Sequence, residues 1–406
     1  MPSLRAQLAH WFIWYKFYTG RHQTESELLE DIRTSYVEQD VPLDPPAEIA
    51  TSDEFEVVRE EKELAAGQRW KIDHIHVSKK KKNVDVESDK VIVYWHGGAF
   101  IRKAMPQHWL FLTNLISSTS IPVIIPHYTL APLSTSTHAT LASLDLLLSL
   151  QSDPRYKGKE IILMGDSAGG WFVAQLLVCL TKLALGEKIG LVGEDELVGS
   201  DAELLRATSK SKSKFQEIRS RMKKAILISP ALEMDMGSTE HPEDEEVQPD
   251  DSWLNYKSTL IFGKIWAYGP SHATPSVSYD LPLSAPVIAA SKYTLPKEIP
   301  LIDECINPTR AMGVLQRYAK NQEVESQSGS VGKGLGIKVF QMCGTADILH
   351  RQAMRLDEVL RSFGKEVVRP ELIVEPGLYH VYPLIQQTPE AQRAITRIKA
   401  LLLEDD

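Results

Sequence analysis

Five short runs of Val, Ile and Leu constrain this chain more than any other feature. They are KVIVYW (90–95), IPVIIPH (121–127), KEIILMG (159–165), KKAILIS (223–229) and IKVFQMCG (337–344). Each is nearly continuous in apolar residues rather than alternating, the pattern of strands covered on both faces. Parallel strands need crossovers, and helical spacing falls between the runs at 105–118, 138–151, 168–185, 308–321 and 350–363. The alternation predicts βαβ units and an open, doubly wound α/β sheet flanked by helices. EFEVVREE (54–61) and the alternating RWKIDHIHVS (69–78) are β-rich stretches ahead of it. RPELIVE (369–375) predicts a last strand, followed by an amphipathic helix near 388–404.

One large domain suits 406 residues. Its core is expected in 51–232 and 301–406, with an N-terminal helical segment over 1–50 and an insertion over 233–300. The insertion opens with the acidic STEHPEDEEVQPDD, which reads as a mobile loop, and continues into WLNYKSTLIFGKIWAYG. That second stretch is too apolar to be solvated all round and suits a lid packed over a pocket. Between 186 and 222 the chain is polar; SDAELL (200–205) offers a Ser-x-x-Glu capping box for a surface helix. The lysine-rich loop KKKKNVDVESDK reads as a solvated turn.

The strand KEIILM runs into Gly165-Asp166-Ser167-Ala168-Gly169, then Gly170 and the helix-forming WFVAQLLVCL. A G-x-S-x-G sequence between strand and helix has chemical meaning that it lacks elsewhere. The sharp turn leaves Ser167 exposed at a helix N-terminus, where developing negative charge is favoured. Small residues at 165 and 169 let strand and helix approach, and Asp166 supports the turn. A serine hydroxyl needs a base to take its proton, and the base needs an acid to orient it. Asp347 ends a late strand in IKVFQMCGTAD, and His380 follows the last strand in ELIVEPGLYH. Rivals are His350, expected inside the next helix, His127, which precedes the serine, and Glu375, on the same loop as His380.

Acyl transfer through a tetrahedral intermediate also needs donors aimed at an oxyanion. HGGAF (96–100) closes the strand KVIVYW and meets that need. The N–H groups of Gly97, Gly98 and Ala168 are the expected donors, with no side chain at 97 or 98 to obstruct a carbonyl. His96 is expected to support the loop through hydrogen bonds rather than act as a base.

Charge and cysteine usage narrow the remaining classes. Lys+Arg 45 against Asp+Glu 54 gives −9, which argues against a general binder of nucleic acid or of anionic membranes, either of which would need a basic surface. The three cysteines are scattered without a CxxC pair, so neither a disulfide framework nor a zinc site is expected. Near the N-terminus Leu4, Leu8, Trp11, Phe12, Tyr15 and Tyr18 recur at helical spacing, with Gly20 as a stop. Their longest apolar run, Trp11 to Tyr15, is too short for a membrane span, and no signal-peptide cleavage site follows. A cytoplasmic location is therefore expected. The helix either docks on its own protein or makes peripheral contact with a membrane or an apolar pocket.

HGG (96–98), YTLAP (128–132), GDSAGG (165–170), LISPAL (227–232), GTADIL (344–349) and YHVY (379–382) together carry a family resemblance. Over about residues 88–385 the chain resembles the hormone-sensitive-lipase-like branch of α/β-hydrolase carboxylesterases, with a general similarity to fungal steryl acetyl hydrolases. The resemblance implies an α/β-hydrolase fold, a helical cap from the N-terminus and an insertion, and ester hydrolysis without metal or cofactor. It also implies Ser167 as nucleophile, Asp347 as acid, His380 as base, and Gly97, Gly98 and Ala168 as oxyanion donors. Ala99 replaces a third glycine and Leu133 stands where the family carries Glu, departures that bear on substrate preference. The expected substrate is a hydrophobic small-molecule ester. An acyltransferase, thioesterase or lactonase of a biosynthetic pathway would use the same triad, and a ligand receptor on this fold would lack the catalytic histidine.

Overall fold

Eight strands form one sheet in the order β1-β2-β4-β3-β5-β6-β7-β8. The computed structural model describes residues 1–16, 24, 27–28, 32, 43–78, 88–191, 209–236, 251–268, 307–327 and 336–405. The strands are β1 (Phe55–Leu64), β2 (Gln68–Val77), β3 (Lys90–Trp95), β4 (Val123–His127), β5 (Glu160–Asp166), β6 (Met222–Ile228), β7 (Ile337–Gly344) and β8 (Val368–Glu375). β1 and β2 join antiparallel, as do β2 and β4; every pairing from β4 through β8 is parallel. This is the mostly parallel sheet that the apolar runs predict.

Continuous hydrophobicity in the central strands has a direct structural reason. Val91, Val93 and Trp95 of β3 join the apolar layer on one face, while Ile92 and Tyr94 join the layer on the other. β5 divides in the same way, with Ile161 and Leu163 opposite Ile162 and Met164. Successive side chains point to opposite faces, so a strand covered on both needs apolar residues throughout. β1 alternates in burial because only one of its faces is covered.

Besides one short turn of helix at Ala47–Ala50, the α-helices among the described residues are α1 (Leu4–Lys16), α2 (Pro106–Thr119), α3 (Ser136–Ser152), α4 (Ala168–Leu185), α5 (Ser209–Arg221), α6 (Tyr256–Tyr268), α7 (Pro308–Ala311), α8 (Val314–Gln327), α9 (His350–Arg361) and α10 (Pro389–Leu403). The single helix expected over 308–321 is two, separated at Met312-Gly313, where glycine weakens helical propensity. α4 is long and apolar enough to cross a membrane, yet 89% of it is buried inside the fold. Its hydrophobicity is that of a core helix.

α1 forms as expected, but the face that docks is the other one. Ala6 and Ile13 are buried, whereas Leu4, Leu8, Trp11, Phe12 and Tyr15 are 61–76% exposed. The small Ala6 allows close approach to the C-terminal region, where Ser3 bonds through N and Oγ to Glu390 at 2.6 and 2.8 Å. His10 lies against the Tyr379 ring, 6.0 Å between centroids. Tyr18, Gly20, residues 79–87 of the lysine-rich loop, Cys305, the capping box at 200–205 and the acidic residues 238–250 lie outside the described residues. The last acid of that run, Asp251, is 1% exposed, which corrects its reading as part of a mobile loop.

The described part of the aromatic stretch forms α6, which packs against α3, α4 and the loop after β3. Trp266 of α6 is fully buried, stacked on Phe100 at 4.4 Å and edge-on to Trp171 at 5.6 Å. Trp266→Ala leaves a cavity among four aromatic rings, those of Phe100, Tyr128, Trp171 and Phe172. It is expected to lower stability by about 3–5 kcal/mol, read as a fall in the urea midpoint at unchanged slope.

Candidate active site

Ser167 occupies the junction of β5 and α4 with φ 51° and ψ −118°, a backbone conformation hostile to a side chain. The surroundings hold it there. Its N–H donates to Ile228 O at 2.8 Å, and its carbonyl accepts from Gly170 at 2.9 Å and Ala231 at 3.0 Å. A Cβ on Gly169 would collide with the Trp95 carbonyl, and one on Gly165 with the carbonyl of Gly169. The expected need for small residues at 165 and 169 is therefore a matter of contact between strand and helix.

Three chain-distant side chains converge on this turn. His380 Nε2 lies 2.9 Å from Ser167 Oγ, and His380 Nδ1 lies 3.0 Å from Asp347 Oδ2. All three residues are buried, which corrects the expected exposure of Ser167: the turn presents its hydroxyl to the cleft and not to open solvent. The other Asp347 oxygen accepts from Leu349 N–H at 2.8 Å. Ser229, at the end of β6, accepts the N–H of Val381 at 3.0 Å and so fixes the residue after His380. Burial acts most strongly on His380 and lowers its pKa. The charge and hydrogen bond of Asp347, with Asp251 and Asp166 beyond, outweigh it and hold the imidazole above its ordinary value.

The rivals have other partners. His127 faces Asp73 at 2.9 Å, and His350 Nδ1 sits 2.6 Å from the backbone oxygen of Asp347. Glu375 is paired with Arg393 at 3.9 Å.

Asp166 does more than support the turn. Its Oδ1 accepts from Tyr94 Oη at 2.5 Å and from the Gly97 N–H at 2.8 Å, and His108 Nε2 lies 3.4 Å away. Burial pushes this carboxyl up most strongly, but His108 and the two hydrogen bonds hold it below its ordinary range. The Gly97 N–H is thus committed to Asp166, a correction to its expected role as an oxyanion donor. The N–H groups of Gly98, Ala99 and Ala168 donate to no acceptor among the described residues. Ala99 and Ala168 line the cleft with Ser167. Beside Gly98, the loop's second uncommitted N–H therefore lies at Ala99, the position where sequence reading saw only a departure. Ala99 takes φ 54° and Gly98 φ 120°, and a Cβ on Gly98 would lie 2.6 Å from the Arg102 carbonyl. His96 supports the loop as expected, with Nδ1 2.7 Å from Gly97 O and its ring stacked on Tyr128 at 4.5 Å. Burial, aided by His108, brings its pKa to about 3, so it is a neutral imidazole.

A cleft of about 350 Å³, counting its open mouth, leads to Ser167. Phe100, Ala231, Met234, Met236, Leu254, Phe262 and Leu349 make its walls apolar. Glu233 is the one acid among the lining residues, and it is paired with Arg355 at 2.5 Å. Gln352 Oε1 accepts from Leu232 and Glu233 N–H, and Asn307 Oδ1 from Met234 N–H, so the wall after β6 is pinned by side chains. None of these brackets has a local sequence signal, because each spans at least 73 residues.

Asp251 is the other residue that sequence reading missed. One oxygen accepts from Trp253 and Leu254 N–H at 2.7 and 3.1 Å, and the other from Ile348 N–H at 3.0 Å. A carboxylate oxygen of Asp251, one of Asp347 and a ring nitrogen of His380 all lie within 4.8 Å of one another. The Asp-Ser-Trp-Leu sequence carries an Asx-turn signal, which was hidden by the acids before it.

A family model described as the alpha/beta hydrolase fold matches residues 92–299, half of the chain. The chain belongs to this family. The α/β hydrolase is also 31% identical over 101 residues to steryl acetyl hydrolase 1 of Saccharomyces cerevisiae. That match spans 24% of this chain and 24% of the relative. Among solved structures, an esterase from the archaeon Pyrobaculum calidifontis superposes with a TM-score of 0.61 at 14% identity, covering 99% of this chain and 98% of that one. An esterase from the bacterial hormone-sensitive lipase family gives a TM-score of 0.56 at 16% identity, with coverage of 99% and 98%. At such identities the structural likeness speaks for the fold. Backbone strain at the α/β hydrolase's turn has its own test. Because φ is positive at position 167, Ser167→Gly is expected to be about 1 kcal/mol more stable than Ser167→Ala in thermal unfolding.

Proposed function

We propose that this chain is a serine carboxylic-ester hydrolase. The observation that carries the reading is the continuous relay Ser167 Oγ to His380 Nε2 at 2.9 Å and His380 Nδ1 to Asp347 Oδ2 at 3.0 Å. In this mechanism His380 takes the Ser167 proton as Oγ attacks the ester carbonyl carbon. The oxyanion gathers the free N–H groups of Gly98, Ala99 and Ala168. Collapse expels the alcohol, protonated by His380, and leaves an acyl-Ser167. Water then attacks with His380 again as base, and Asp347 holds the ring with Nδ1–H inward throughout.

The apolar walls and modest volume of the cleft favour a neutral ester with a short acyl group and a hydrophobic alcohol. Partial likeness to a steryl acetyl hydrolase points the same way, toward acetate esters of lipid-like alcohols. With p-nitrophenyl esters as probes, short chains are expected to turn over faster than long ones. Ser167→Ala is expected to lose at least about 10³-fold in kcat and to escape labelling by a fluorophosphonate. Equal labelling of wild type and Ser167→Ala would overturn the reading. His380 must be neutral to act as base, and its pKa is raised. Activity should therefore fall as pH drops through a value above the ordinary histidine pKa of about 6.5.

We further propose that the outward face of α1 rests on an anionic lipid surface. Five large apolar side chains there, from Leu4 to Tyr15, face solvent. Residues 1–23 carry Arg5, Lys16 and Arg21 and no Asp or Glu, in a chain of net charge −9. Co-sedimentation with vesicles containing phosphatidylserine is expected, and should weaken in a Trp11→Ser, Phe12→Ser double variant. Unchanged sedimentation, or self-association of the wild type in place of vesicle binding, would overturn it.

A further inference from the structure

We infer that Asp251 is a positioning residue of the relay, brought in by the insertion to fix the Asp347 loop and to give the His380 imidazolium a second counter-charge. The inference rests on the proposed hydrolase mechanism. Its geometric basis is the bond from Ile348, the residue directly after Asp347, whose N–H donates to Asp251 Oδ2 at 3.0 Å. With Leu349 N–H on Asp347 itself, the two carboxylates take two successive backbone donors of one loop.

A turn-forming aspartate has no need of this location. An Asx turn uses one carboxylate oxygen and works equally well in water. Here the second oxygen leaves the turn to bind the Asp347 loop, and the residue is 1% exposed. Burying a carboxylate beside another carboxylate is unfavourable unless donors or a cation compensate. Three backbone N–H groups meet part of that demand. His380 adds a cation to these donors when it gains a proton, which happens as Ser167 attacks. Asp251 then stabilises the charged relay more than the resting one, the condition for raising kcat rather than binding.

The charged and titratable groups facing this cluster come from three places. Asp347 follows β7, Asp166 ends β5, and Asp251 comes from the insertion; all three act on His380. Asp347 and His380 act on Asp251, whose pKa is pushed up to about 6 by burial and then by Asp347. The Cys343 thiol near Asp347 is driven far up by burial and stays neutral. Only two residues separate Asp251 from Leu254, which lines the cleft, so docking of the insertion and the charge of the relay are linked.

The test compares wild type, Asp251→Asn and Asp251→Ser by kcat/KM against pH with p-nitrophenyl acetate, together with fluorophosphonate labelling. Serine keeps an acceptor for the turn and removes the charge, so it gives the same information if the asparagine variant fails to fold. The expected result is a lower kcat at little-changed KM and an acid limb moved down by about one pH unit. Asp251→Glu should return the limb toward the wild-type position. If the folded variants lose stability while the acid limb stays in place, Asp251 serves only the turn and the inference falls. If the wild type is not labelled on Ser167, the hydrolase reading fails instead, and that outcome is separate from the first.

Discussion

The bond from the Gly97 N–H to Asp166 Oδ1 ties together the two loops on which everything at this end of the sheet depends. One loop follows β3 and presents backbone donors; the other follows β5 and presents Ser167. Separately they are turns at the ends of adjacent strands. Joined through one carboxylate, they hold a hydroxyl and a set of bare N–H groups around a common point. Tyr94 and His108 complete the shell of that carboxylate and keep it ionised in a buried place. Asp166 is consequently the residue through which a change in the glycine loop would reach the serine.

Most of the architecture was legible in the chain because the physics was local. Apolar runs set the strands, and the sheet buried β3 and β5 on both faces, as their composition requires. Ser167, Asp347 and His380 could be picked out because each follows a strand, and strand ends of one sheet must lie near one another. Gly97 was misjudged for the opposite reason. The competing acceptor, Asp166, stands 69 positions away, and nothing in HGGAF reveals which N–H it will take. α1 shows a further limit. Periodicity correctly gave a helix with an aromatic face, but it could not say that the alanine face would be the one to dock.

The insertion carries much of what distinguishes this cleft. α6 supplies Thr259, Phe262 and Gly263 to the walls, while Trp266 locks it to Phe100. Gly263 lies so close to the Met234 carbonyl that a side chain would push the helix away from the wall after β6. The wall and the helix thus meet backbone to backbone, and the shape available to a ligand is set by main chain as much as by side chains.

Positive φ values at non-glycine residues are distributed in a telling way. Of the eight among the described residues, Ala99, Phe100, Ser167, Ser229 and Val381 lie just beyond the carboxyl ends of strands β3, β5, β6 and β8, while Ala66 turns between β1 and β2, Met236 lies in the wall after β6, and Ser120 caps α2 ahead of β4. The molecule is therefore mechanically lopsided: most of its strained turns gather along one rim of the sheet, held in tension by the strands behind it, and Ser120 alone of those described sits at the other. Selection for heat resistance alone would find its easiest gains along the tensioned rim, where a relaxed turn is a more stable turn. The same relaxation would let the reacting groups drift out of alignment, so endurance and turnover would be traded at the same few positions.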